Sequence, residues 1–178
     1  LLMGIVALLK DTRKIKQLMI AGSGLLLAAS FILLLLFLGE KGANPDSAMF
    51  LRSDLIWYPE FNIKLSLGVD GISVLMIILS SVIVFTGSLI SWTIDYQVKE
   101  YFLWYLLLAT GVFGFFITID LFSMFLFYEV ALIPMYLLIG LWGTGRKEYS
   151  AMKLTLMLMG GSAFLLLGIL GIYFNTGA

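Results

Sequence analysis

An all-α fold, a polytopic transmembrane helix bundle with a short external hairpin, is predicted by three observations. Of the 178 residues, 61% are apolar and the mean hydropathy is +1.06, against about 45–50% apolar in soluble domains. Five apolar stretches are long enough to cross roughly 30 Å of hydrocarbon, which takes about 20 residues. Charged residues collect between those stretches. Eleven basic and eleven acidic residues balance to a formal charge of zero, so there is no basic excess for nucleic acid. Cysteine and histidine are absent. That excludes thiolate-held iron–sulfur clusters, disulfides, histidine-ligated haem, ordinary zinc sites and Ser-His or Cys-His nucleophiles.

The chain opens on Leu1–Leu9, which is apolar but too short to span. The basic cluster follows this run, the reverse of a secretion signal, so the segment is expected to be the tail of a helix. Full spans are predicted over Leu18–Leu38, Gly71–Trp92, Tyr101–Ile119, Leu121–Trp142 and Tyr149–Phe174. They make one membrane domain, 1–178, expected to be the N-terminal fragment of a longer subunit.

Loop charge orients the spans, because short cytoplasmic loops carry excess Lys and Arg. The first connection holds Lys10, Arg13, Lys14 and Lys16 against Asp11; the third holds Lys99, and the fifth Arg146 and Lys147. The second has three basic residues beside five acids, and the fourth is essentially Asp120. Odd connections are therefore expected in the cytoplasm, with the start of the chain outside. Trp92, Tyr96, Tyr101, Trp142, Tyr149 and Tyr173 sit at predicted helix ends, where interfacial aromatics belong.

The long second connection opens on a turn-rich linker, Gly42-Ala43-Asn44-Pro45-Asp46-Ser47. It closes on an alternation in which Phe61, Ile63, Leu65, Leu67 and Val69 are apolar and the residues between them polar or small. That two-residue period marks a half-buried strand. Met49–Tyr58 supplies an antiparallel mate, with Pro59-Glu60 as the turn.

The residue that stands out is Glu129. It lies eight positions after Leu121, about 12 Å into its helix and close to the bilayer centre. Its helical neighbours Phe125, Leu126, Leu132 and Ile133 offer it no polar partner. A carboxylate at that depth costs roughly 2.5–3.5 kcal/mol on insertion scales, so such a residue is a functional candidate by default. The structural alternative is a protonated acid bonding a neighbouring helix. Pro134 removes a backbone donor and frees the carbonyl of Val130, leaving water or a polar group a place to bind beside Glu129; the alternative is a packing kink. Lys153 has the charge Glu129 lacks and sits near the start of the next span. Its depth, about 6 Å from Tyr149, favours a water-mediated contact over a direct ion pair, and by position it also fits a snorkelling anchor. Asp70 and Asp120 each precede a helix and a serine three residues on, the pattern of an N-cap. Glycine pairs at Gly111 and Gly114, Gly160 and Gly161, and Gly168 and Gly171 point to close helix–helix packing.

Three motifs carry a family resemblance. Asn62-Ile63-Lys64-Leu65-Ser66-Leu67-Gly68-Val69-Asp70-Gly71-Ile72-Ser73 resembles the approach to the third helix of an antiporter-like subunit of respiratory complex I. Phe127-Tyr128-Glu129-Val130-Ala131-Leu132-Ile133-Pro134-Met135-Tyr136 with Leu141-Trp142-Gly143 resembles its fifth-helix motif, and Tyr149-Ser150-Ala151-Met152-Lys153 the start of its sixth. The resemblance is to the M-type subunits, those of mitochondrial chain 4 type, of NADH:quinone oxidoreductase.

That resemblance implies a fourteen-helix subunit that moves protons through buried charges and water chains. It implies that Glu129 and Lys153 transfer protons, with a lysine partner for Glu129 beyond Ala178. Met152 departs from the threonine many relatives have there. No cofactor is implied for this chain; NADH, FMN, iron–sulfur clusters and quinone belong to other subunits of the complex. The implied partners are other membrane subunits, including neighbouring antiporter-like ones, and the lipid of a bacterial inner membrane, with no nucleic acid. Two alternatives stay open: a subunit of a multi-subunit cation/proton antiporter, and a structural membrane scaffold.

Overall fold

The computed structural model describes residues 2–8, 11–43, 50–58 and 63–176. In chain order these form α1 (Leu2–Leu8), α2 (Thr12–Ala43), β1 (Phe50–Tyr58), β2 (Ile63–Val69), α3 (Gly71–Ile90), a short 3-10 turn (Ser91–Thr93), α4 (Val98–Ile117), α5 (Leu121–Trp142) and α6 (Lys147–Thr176). Five of the helices are long and apolar enough to cross a membrane, which agrees with the predicted polytopic bundle. Large apolar side chains such as Leu25, Met157, Phe164 and Phe174 lie more than 70% exposed, a cost that a lipid solvent removes.

The helices pair mainly with their neighbours in sequence: α2 with α3, α4 with α5, and α5 with α6, while α1 leans on α4. One apolar cluster joins Val6, Ile15, Met19, Val98, Phe102 and Leu106 at the end where α2 and α4 begin. A second joins Val69, Val74 and Ile77 with Leu33, Phe37, Phe113 and Phe116 at the opposite end.

β1 and β2 form the expected antiparallel hairpin, with Phe50 opposite Val69 and Tyr58 opposite Ile63. Its predicted turn at Pro59-Glu60 lies outside the described residues. So does most of the linker, although Gly42 and Ala43 belong to α2 rather than to a turn. The hairpin is tied to the α4–α5 connection: Ile119 N–H donates to the Ser66 carbonyl at 2.9 Å, and Leu67 bridges Thr118. The starts of α3 and α5 and the end of α4 therefore share one end of the bundle.

Helix ends run past the apolar windows. α2 starts at Thr12, so Arg13, Lys14 and Lys16 are helical rather than part of a loop, and α6 starts at Lys147. Hydropathy marks the lipid-matched core of a helix, while good helix formers such as Lys and Arg extend its backbone beyond that core.

Candidate functional site

The site is built on α5. Asp120 caps its start, its Oδ2 accepting from the Ser123 N–H at 3.0 Å and the Ser123 hydroxyl at 3.1 Å. At the far end the Lys147 ammonium donates to the Leu141 carbonyl at 2.8 Å, a cation on the negative end of the helix dipole. Between these ends lie Glu129 and Pro134. Pro134 is fully buried inside the helix. The Glu129 side chain is half-buried; its Oε1 is buried and accepts no hydrogen bond, the one such side-chain oxygen or nitrogen among the described residues. An unmade hydrogen bond on a buried polar group costs about 1–3 kcal/mol.

On one side, α4 approaches α5 at glycines. A Cβ on Gly111 would lie 2.9 Å from the Ala131 Cβ and 3.1 Å from its backbone, and one on Gly114 would run into the Phe127 ring. A cavity of about 230 Å³ borders this contact, lined in part by Gly111, Tyr128, Ala131, Leu132 and, from α6, Leu158. On the other side, α6 meets α5 where Gly140 faces Ala151, the added Cβ standing 3.8 Å from the Ala151 Cβ. The remaining glycine pairs do not follow the expectation of close packing. Gly160, Gly161, Gly168 and Gly171 have nothing within 4 Å of an added Cβ, because they lie on faces of α6 turned away from α5.

Glu129 and Lys153 are not brought together. The less exposed residues of α6 are Ala151, Thr155, Leu158, Ser162, Leu166 and Ile169, a stripe at three- and four-residue spacing that faces α5. Lys153 is two residues past Ala151, about 200° round the helix, and is exposed. Its ammonium sits 6.0 Å from the Tyr149 ring centroid. Antiparallel register from the Gly140–Ala151 contact places Lys153 level with Leu138, about 13 Å along α5 from Glu129. The two candidates thus occupy different faces and different depths.

Asp70 and Asp120 act as the caps their sequence pattern predicts; Asp70 Oδ1 accepts from the Ser73 N–H at 2.7 Å. The backbone and hydroxyl bonds from Ser73 hold the Asp70 carboxyl below its ordinary value of 3.8. Among the described residues, no group of three or more Asp or Glu side chains is placed to hold a metal ion.

Sequence reasoning missed a second polar system. Lys16, treated as a loop charge, is buried, and its Nζ donates to the Trp92 carbonyl at 2.8 Å and to Asp95 at 3.2 Å. Further along α2, Ser23 and Ser88 of α3 share a 2.7 Å hydroxyl contact. Ser91 and Tyr101 share another at 2.8 Å. The Tyr105 hydroxyl donates to the Val84 carbonyl, also at 2.8 Å. Lys16, Ser23 and Ser30 are all buried and recur every seven residues; that heptad on one helix face was the available signal.

Residues 118–178, which include Glu129, Pro134 and Lys153, match the family described as "NADH:quinone oxidoreductase/Mrp antiporter, TM". Over this segment the chain is similar to that transmembrane family. Its relatives include NADH-ubiquinone oxidoreductase chain 4 of Chondrus crispus, 34% identical over 75% of this chain and 28% of the relative. NADH-quinone oxidoreductase subunit M of Rhodobacter capsulatus is 36% identical over 81% of this chain and 27% of its own length. The chain therefore spans about a quarter of the length of these relatives. Its fold is also found in the membrane-bound sulfane sulfur reductase, an archaeal respiratory membrane complex, with a TM-score of 0.71 and 24% identity over 99% of this chain and 34% of that one.

Proposed function

We propose that this chain forms part of an antiporter-like subunit of NADH:quinone oxidoreductase and that Glu129 carries protons through it. The observation that carries the proposal is the Glu129 Oε1, buried and without a partner about 12 Å into a membrane span. A carboxyl so placed lies at a depth that bulk water does not reach freely. Burial favours the neutral acid, and an approaching cation favours the carboxylate. Moving or recharging that cation shifts the balance and moves a proton. Pro134 supports the same reading by freeing backbone beside the carboxyl, and α4's glycines keep the helix pair close. Lys153 is proposed as a second proton-transfer group, working on the face of α6 remote from α5.

Quinone reduction by other subunits, which would hold NADH, FMN, iron–sulfur clusters and quinone, is proposed to drive the cycle. The proposed setting is a bacterial inner membrane, the chain's first residues outside, with other antiporter-like subunits as neighbours. The test is Glu129→Gln in the full-length subunit within its complex in native membranes. Quinone reductase assembly should persist while protons moved per electron fall severalfold. Translocation near the wild-type level would leave a structural scaffold instead.

A second reading, a subunit of a cation/proton antiporter, draws on the family description, which names both kinds of protein. Purification of the subunit separates the two. Co-purifying flavin and NADH:quinone reductase activity supports the first reading; their absence together with pH-gradient-driven sodium flux supports the second.

A further inference from the structure

We infer that Ser162 on α6 is the positioning residue for Glu129, supplying the hydrogen-bond partner of its unsatisfied carboxyl oxygen. The inference deepens the reading of Glu129 above and rests on that reading for its functional consequence; its geometry stands separately. Gly140 and Ala151 fix the register of the antiparallel α5–α6 pair. Glu129 lies eleven residues before Gly140 and Ser162 eleven after Ala151, so each is about 16 Å along its helix from that anchor and the two stand at one level. Leu132 and Leu158, which both line the same cavity, obey the same register within one residue.

Azimuth agrees with register. Ser162 is 7% exposed on the stripe of α6 that faces α5, while its neighbours Gly161 and Ala163 are exposed. On α5, Glu129 lies two residues before Ala131, which packs against Gly111 of α4, and about 160° from the Phe127 position that meets Gly114. The carboxyl thus points away from α4. Of the helices packed on α5 among the described residues, α6 is the one left to cover its buried oxygen.

The chemistry fits both states of the acid. The Ser162 hydroxyl donates to the Met159 carbonyl at 3.0 Å, which leaves its lone pairs free. A protonated Glu129 donates to that oxygen while the serine O–H keeps its hydrogen bond to the Met159 carbonyl. When Glu129 is ionised, rotation about one serine bond turns the O–H toward the carboxylate. One hydroxyl therefore serves the proton-loaded and the proton-empty form without moving a helix.

The test uses the full complex in native membranes. Infrared bands of Glu129, acid or carboxylate, are those that vanish in Glu129→Gln. Ser162→Ala should shift them, the acid carbonyl to higher wavenumber, and should lower protons moved per electron; Ser162→Thr should restore both. Bands unmoved in Ser162→Ala, or moved equally in Ser162→Thr, overturn the pairing. Cysteines at 129 and 162, in a chain that has none of its own over these 178 residues, provide a measurement independent of activity. A short bifunctional thiol reagent should join them and should fail to join cysteines at 129 and 153; the reverse result overturns the register. If Glu129→Gln keeps full proton translocation while Ser162→Ala still shifts the bands, the pairing stands and the proton-carrying role falls.

Discussion

Replacing Gly111 by alanine should destabilise the α4–α5 pair, whereas the same change at Gly160 should stabilise α6. In an open helix position alanine is favoured over glycine by about 1 kcal/mol. Gly160 has nothing within 4 Å of an added Cβ, so that gain is realised in full. At Gly111 the new methyl would meet the Ala131 Cβ at 2.9 Å and the Ala131 Cα and N at 3.1 Å. Two of those three atoms are backbone and cannot rotate aside, so the helices must separate. Overpacking of this kind costs about 1–3 kcal/mol, which exceeds the propensity gain by roughly 1 kcal/mol. The two identical substitutions should thus differ by about 2 kcal/mol in opposite directions. Denaturant unfolding of the 178-residue chain in mixed micelles, followed by tryptophan fluorescence, measures the difference. A Gly111→Ala protein as stable as Gly160→Ala would refute the argument that backbone contact, rather than helix propensity, dictates glycine on α4.

Three further outcomes follow from the polar contacts. Lys16→Met should cost about 1.5–3 kcal/mol, the value of a hydrogen bond from a charged donor, because the Trp92 carbonyl in the 3-10 turn loses its partner. Asp95→Asn should cost less than about 1 kcal/mol, since Asp95 is 94% exposed and its ion pair with Lys16 is screened; equal losses in thermal unfolding would show that the ion pair, not the carbonyl bond, holds the α3–α4 connection. For Asp70, the Ser73 bonds favour the ionised form and lower its pKa from 3.8. The stabilisation is therefore present above that ordinary value and is lost as pH falls through the lower, folded one. Asp70→Asn should be less stable than wild type near neutral pH, with the gap closing in acid below 3.8; a gap that stays constant down to the acid limit would contradict this.

Much of the architecture was legible because its causes are local. A span is a sum of side-chain transfer energies over consecutive residues, so Leu121–Trp142 is the same segment in sequence and structure. The Asp70 and Asp120 caps need only a carboxylate and an N–H three residues apart. The hairpin's antiparallel pairing follows from its two-residue period and short reach, although its register shifts between Phe50 and Ser53 and between Ile56 and Tyr58. Glu129's depth needs only the fixed rise of a helix.

What escaped the sequence depends on which face one helix turns to another. Lys153 was expected within reach of a water-mediated contact to Glu129, yet its azimuth on α6 sends it away from α5. Lys16 carries the charge of a loop residue and the burial of a core residue, because α2 begins earlier than its apolar window and turns that face to Trp92. Of three similar glycine pairs, Gly111 and Gly114 alone meet a neighbouring helix. Ser162 is one hydroxyl among many until register sets it level with Glu129. By itself, then, the sequence determined the spans, the caps, the hairpin and the depth of the buried acid, all written in neighbouring residues. Only the tertiary structure decided the pairings around that acid, because helix register and rotation are set by contacts between residues far apart in the chain.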